Sequence, residues 1–139
     1  MKRMAFVIKA EVSAPLGETL AFNTQKTMYG GKRIAKGDTI FVFASENEGG
    51  PGLVARGVVT SAKAIAQKPG IARQTPRVSI AVRCIAFARR RLGRSELKPF
   101  SNWNDGRPET ELNFKFYRQA TNKIGGVSDE AAAFLRGFF

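Results

Sequence analysis

The stretch "FASENEGGPGLVARGVV", residues 43–59, decides the fold. Within it, Gly50-Pro51-Gly52-Leu53-Val54-Ala55 spells G-x-G-x-x-A, the turn that cradles a dinucleotide pyrophosphate. That turn works only when a strand enters it and a helix leaves it with its N-terminus facing the phosphates. An apolar strand does enter, Thr39-Ile40-Phe41-Val42-Phe43-Ala44, after a Lys36-Gly37-Asp38 turn. What leaves is Leu53-Val54-Ala55-Arg56-Gly57-Val58-Val59-Thr60, rich in β-branched residues and carrying a mid-segment glycine that penalises a helix. No Gly-Lys-Ser/Thr follows a glycine loop anywhere. The glycines therefore predict a hairpin between two strands, and the sequence calls for no nucleotide cofactor.

Outward from the hairpin, residues 4–9 predict a first strand, and Val78 to Phe87 a long one with Ser79 and Arg83 on one face. Between them, "ETLAFNTQKTMYGGKR" (18–33) reads as a short helix ending before Gly30-Gly31, and "QKPGIARQTPR" (67–77) as a loop. "SELKPFSNWNDGRPE" (95–109) reads as irregular and residues 112–124 as β-like. Ser128-Asp129-Glu130 opens a final helix whose apolar side is Ala131, Phe134, Leu135 and Phe138. Strands follow strands without intervening helices, so the expected class is α+β. It has five to six mostly antiparallel strands, short helices and a C-terminal helix, in one domain over 1–139.

The chain has 139 residues, 43% of them apolar, enough for one core. No apolar run is long enough to span a bilayer, and the opening stretch is too short for a signal peptide, so a cytoplasmic location is expected. Histidine is absent, which excludes His-based triads and nearly all zinc sites. Cys84 is the only cysteine; it cannot form an intrachain disulfide and reads as a small core residue. Charge is the strongest signal: 23 Lys and Arg against 11 Asp and Glu give +12, an excess that attracts phosphate backbones. "RCIAFARRRLGR" (83–94) concentrates it in five arginines, which read either as a solvated turn or as a phosphate contact.

Four stretches, taken in order, carry a resemblance. They are "AFVIKAE" (5–11) with its Lys-x-Glu ending, "RIAKGDTIFVFASENEGGPGLVARGVVTSA" (33–62), "VSIAVRCIAFARR" (78–90) and "FYRQATNKIGGVSDEAAAFL" (116–135). Together they resemble the EVE domains of the PUA-like superfamily, relatives of the YTH and ASCH domains. One departure stands out. The family's early segment, with a Trp and an Arg-Asn pair, here reads "AFNTQKTMYGGKR" without tryptophan, and the single Trp103 comes much later.

The resemblance implies a β-pseudobarrel whose cleft takes a flipped or modified nucleobase of DNA or RNA. An extruded base needs an aromatic face and polar groups for its edge, and its backbone needs cations. Phe22, Tyr29 and Trp103 then supply faces, and Asn23, Thr24, Ser45, Glu46 and Asn104 supply edge contacts. Arg118, Gln119 and Lys123 lie by the phosphates, with Arg89, Arg90 and Arg91 as an outer patch. Each also has a plain reading: Phe22 as core, Tyr29 as a turn residue, Ser45 as a strand end, Arg118 as the partner of Glu109 or Glu111. Such a reader needs no catalytic group and no metal. The alternative is an ASCH-like amidohydrolase acting on modified nucleosides with Lys26, Thr27 and Glu46. A third reading is an RNA-binding module without a base pocket.

Overall fold

The computed structural model describes residues 5–12, 17–45, 52–66, 69–70, 75–115 and 123–139. Six strands are β1 (Ala5–Ala10), β2 (Thr19–Met28), β3 (Thr39–Ala44), β4 (Gly52–Ala64), β5 (Arg77–Phe87) and β6 (Lys123–Val127). Three short helices are α1 (Arg94–Leu97), α2 (Pro108–Asn113) and α3 (Asp129–Arg136). The strands close into a barrel in the order β1-β3-β4-β5-β2-β6. Four of the pairings are antiparallel, while β1–β3 and β2–β6 are parallel.

The parallel pair shows why closure works. Parallel strands are stable when both faces are covered, and every residue of β1 is buried. Phe6, Ile8, Ile40 and Val42 point into the barrel, where Val59, Ile80, Val82 and Ile124 meet them. Alternate residues Val7, Phe41 and Phe43 point outward into a second core formed with Leu97, Leu112 and Leu135 of the helices. One consecutive apolar run thus supplies two cores.

The glycine stretch is a strand connection. Residues 46–51 lie outside the described segments, but Gly52 opens β4 at φ +86°. A Cβ there would run into the Leu92 carbonyl, while Leu53 N–H donates to that same carbonyl at 2.9 Å. The chain continues as strand to Ala64, with no helix to face a pyrophosphate.

Four local expectations are corrected. Residues 19–28 form a strand, not a helix, because β2 is the stave that closes the barrel, bonded to β5 on one side and β6 on the other. The stretch 95–109 is not wholly irregular: Glu96 Oε1 accepts the Gly93 N–H at 2.7 Å and starts α1, and Pro108 stands at the first position of α2. Leu112 and Asn113 are helical, so only Lys123 and Ile124 of the 112–124 segment are strand among the described residues. Cys84 sits half-buried at the margin of the barrel interior, where burial pushes its thiol pKa up. The final helix is as read, with the Ser128 hydroxyl accepting Ala131 N–H at 3.1 Å.

Candidate nucleic-acid interface

β4, β5 and β2 are adjacent staves, and together they carry Lys26, Arg56, Lys63, Arg77 and Arg83 and no acid. Cross-strand partners share a face. Lys63 stands opposite Ser79, Arg77 opposite Lys26, and Arg83 opposite Thr19. Arg77, Ser79 and Arg83 alternate with the inward Val78, Ile80 and Val82, so these cations point out from the barrel. Small residues, Ala21, Ala81 and Ser61, line the middle of the same surface, and Ile85 and Phe87 are about half exposed beyond Arg83. Like charges directly opposite each other are destabilising, yet Lys26 faces Arg77 with both side chains exposed. Six of the acids, Glu96, Asp105, Glu109, Glu111, Asp129 and Glu130, fall instead on the helical side of the molecule.

At the edge of this basic face β2 carries a bulge between Phe22 and Gln25. Thr24 sits there at φ +54°, a region that a β-branched residue rarely enters. Its N–H donates to Ser79 Oγ at 2.8 Å and its carbonyl accepts Arg77 Nη1 at 3.1 Å, so two β5 residues hold the strained geometry. Asn23 is exposed beside it, and its carbonyl accepts Gln25 Nε2 at 2.9 Å. Bulges and strained residues of this kind concentrate where side chains are aimed at ligands. Lys123 pairs with Lys26 across β6–β2, adding a further cation to this rim. Ser45 follows the end of β3, which β1 and β6 separate from β2 around the barrel. It is 6% exposed, and its N–H donates to the Ala10 carbonyl at 2.8 Å.

The remaining sequence-derived residues divide. Phe22 is 7% exposed within the barrel interior and offers no open ring face. Glu46, Arg118 and Gln119 lie outside the described residues. Arg89 and Arg90 are tied to the C-terminus: Arg89 N–H donates to the Phe138 carbonyl at 2.7 Å, and Arg90 Nη2 to the Gly137 carbonyl at 2.7 Å. The Arg90 guanidinium also stacks 4.5 Å from the Phe138 ring centre, while Arg91 Nε approaches Glu96 at 3.5 Å. Lys26 and Thr27 are consecutive on one strand and face opposite sides. The buried Thr27 hydroxyl is already committed to the Pro76 carbonyl at 2.8 Å, which removes it as a partner for Lys26.

Trp103 and Tyr29 lie at the other end. A cleft of about 270 Å³ is lined by Trp103, Gly106, Arg107, Thr110, Glu111, Phe114 and Lys115. Lys115 Nζ donates to Glu111 Oε2 at 3.2 Å and to the Gly126 carbonyl at 3.0 Å, and it stands 4.8 Å from the Tyr29 ring centre. Gly126 pairs with Phe6 near the start of β1, whereas Ser45 follows the end of β3 beside Ala10. Four residues of β1 separate the two levels, about 13 Å. Ser45 and Trp103 therefore do not share a pocket. Asn104 is exposed beside Trp103, its N–H donating to Asn102 Oδ1 at 3.3 Å.

Glu111 is the anchor of this end. Burial pushes its carboxyl upward, but hydrogen bonds from the Ser128 hydroxyl and N–H, and the Lys115 charge, outweigh it and hold the pKa below its ordinary value. The sequence reading missed Thr110 and Lys115 and had Glu111 only as a candidate partner of Arg118. Pro108 followed by Glu109, with Glu111 four residues before Lys115, is a helix-start signature that would have found them. Among the described residues, no three of His, Cys, Asp or Glu gather as metal ligands, and no helix is long and apolar enough to cross a membrane.

A closed mixed barrel of six strands, with three short helices ending in a C-terminal one, is a PUA-like β-pseudobarrel. Its fold is that of the EVE, or DUF55, domains. Human THYN1, in a crystal structure with DNA containing 5-methylcytosine, matches at a TM-score of 0.67 and 16% identity over 96% of each chain. The DUF55 domain of human thymocyte nuclear protein 1 matches at 0.63 and 15% identity, over 95% of this chain and 96% of that one. A hypothetical protein from Leishmania major matches at 0.60 and 18% identity, over 98% and 94%. No protein-family model and no curated protein matches the chain in sequence.

Proposed function

We propose that this protein is a non-catalytic reader of a modified base in nucleic acid. The phosphate backbone lies on the outer face of β4, β5 and β2, strands that carry no acid. The extruded base reaches the rim set by the Asn23–Thr24 bulge and Lys123. The observation that carries this reading is the Lys26–Arg77 pair: two exposed cations face each other beside a strained bulge, a cost that an anionic strand relieves. Preference for a modified base is supported by the fold shared with THYN1, whose structure holds 5-methylcytosine DNA.

Each element has a defined task. Lys26, Lys63, Arg77 and Arg83 neutralise phosphates and fix the register without reading sequence. The polar groups of Asn23 and Thr24 are placed to meet the edge of a base that has left its stack. Ser79 and Arg77 keep Thr24 in its left-handed conformation, so the edge contacts are preorganised before the ligand arrives. The amidohydrolase reading has no comparable support, given the opposed faces of Lys26 and Thr27.

The test is binding of fluorescent DNA duplexes that differ only in one 5-methylcytosine. Double reversal Lys26→Glu with Arg77→Glu abolishes binding to both duplexes. Ser79→Ala, which frees the Thr24 N–H, narrows the preference for the methylated one. Unchanged binding by the double reversal defeats the proposal.

A further inference from the structure

Two exposed apolar side chains stand at the end of β5 and have no task in reading a base. Ile85 is 48% exposed and Phe87 50%, two positions apart on one strand. Exposure recurs at every second position from Arg83 through Ile85 and Phe87 to Arg89, while Cys84, Ala86 and Ala88 between them are partly covered. A lone exposed apolar residue needs no explanation, but a pair bracketed by two arginines is a different feature. β5 presents the pair with a bulge: Cys84 stands opposite Gly57 and Ala86 opposite Arg56, so Ile85 has no partner on β4. A bulge bends its strand and re-aims the side chain it carries. The row is fixed at both ends. Arg83 pairs with Thr19 and Val58, and beyond the strand Ala88 N–H donates to the Val54 carbonyl at 2.9 Å and Arg89 N–H to the Phe138 carbonyl at 2.7 Å. The acid beside it across the sheet is Glu18, whose carbonyl accepts the Cys84 N–H at 2.7 Å, opposite a covered position of the row and not an exposed one.

We infer that Ile85 and Phe87 form a wedge that enters one base step of a DNA duplex and kinks it. The inference rests on the proposed reader surface, whose phosphate track it continues, since Arg77, Ser79 and Arg83 precede the pair on the same strand. Apolar side chains pushed between neighbouring bases unstack that step, and the cost is offset by the extra surface a bent duplex lays against the protein. Cations on both sides of the step hold the bent strands. Arg83 and Arg89 are six residues apart, about 20 Å of extended chain, which a duplex covers in about six base pairs. Each arginine therefore meets a phosphate on its own side of the kink. The wedge is not a plug for the gap left by an extruded base: Ser79, which holds Thr24, lies eight residues from Phe87, about 26 Å along the strand. Charge selects the occupant. An uncharged apolar partner would leave Arg83 and Arg89 without counter-charge, whereas a duplex supplies phosphates to the arginines and a stacked apolar interior to the pair.

The test is energy transfer between dyes on the two ends of an unmodified duplex of about 25 base pairs, with the full chain at saturating concentration. The inference predicts that the parent draws the ends together. Ile85→Ala with Phe87→Ala leaves the saturated duplex straight and binds it about tenfold more weakly. Its slope of log affinity against log salt matches the parent, because no phosphate contact is lost. Both side chains are exposed, and a thermal melt equal to that of the parent shows that the variant is folded. Phe87→Leu, which keeps an apolar wedge, retains the bend. A duplex with one unpaired base, already unstacked at that step, binds the parent more tightly than the intact duplex, and the double variant loses this preference. A duplex bound but left straight by the parent, or bent equally by the double variant, overturns the inference and leaves the reader surface standing. Failure of the parent to bind any duplex overturns both readings. Capture of the parent but not the double variant by phosphatidylserine vesicles, with no bend in the duplex, assigns the pair to a lipid surface and also overturns it.

Discussion

The Glu111 carboxylate on α2 receives both the N–H and the hydroxyl of Ser128, the residue that caps α3. One half-buried carboxylate therefore joins two helices, and through Lys115 it also reaches the Gly126 carbonyl of β6. The helical layer is fastened to the barrel at this point.

Replacing Glu111 with Gln is expected to lower stability by about 2 kcal/mol, since hydrogen bonds to a charged group are the strong ones. Because folding holds the Glu111 pKa below its unfolded value, the contribution is full above the unfolded pKa and is lost as pH falls through the folded one. Urea midpoints measured from neutral pH downward should therefore converge for the parent and Glu111→Gln in acid. A constant gap at every pH would show that the charge is not what holds the two helices.

Gly126 is predicted to be intolerant of any side chain. A Cβ there meets the Tyr29 carbonyl, which accepts the Gly126 N–H at 3.2 Å from a residue at φ +49°. Gly126→Ala should cost about 1–3 kcal/mol, as overpacking against a fixed group does. Thermal melting checks this against Gly70→Ala, which meets nothing within 4 Å and strains only its own φ of +82°.

The arginines should separate by role. Arg83→Glu, on the acid-free surface, is expected to weaken DNA binding and to reduce the slope of log affinity against log salt by about 0.9 for each phosphate it ceases to neutralise. Arg90→Ala removes the bond to Gly137 and the stacking on Phe138. It should lower stability by about 1 kcal/mol and leave the salt slope unchanged. Paired titrations in two salt concentrations, with a denaturation curve for each variant, distinguish the two.

Much of the barrel is legible in the residues themselves. The glycine hairpin, the doubly buried run Thr39–Ala44 and the Ser128 cap follow from pattern alone, because each is set by local chemistry. β2 is not. Its bulge at Asn23–Thr24 breaks the period of two, leaving Phe22 and Thr27 as its buried residues, five positions apart. The site is less legible still. Barrel closure decides that Lys26 faces Arg77 and Lys123, and that Trp103 and Ser45 stand at different ends. Neither juxtaposition leaves a trace in local sequence.

The most direct measurement of the central claim is equilibrium anisotropy with two labelled duplexes, identical except for one 5-methylcytosine, at two or more salt concentrations. The account predicts tighter binding to the methylated duplex at every salt concentration. Both affinities should fall steeply with salt, and both should disappear when Lys26 and Arg77 are reversed. Equal affinity for the two duplexes, or binding that survives the reversal, would contradict it.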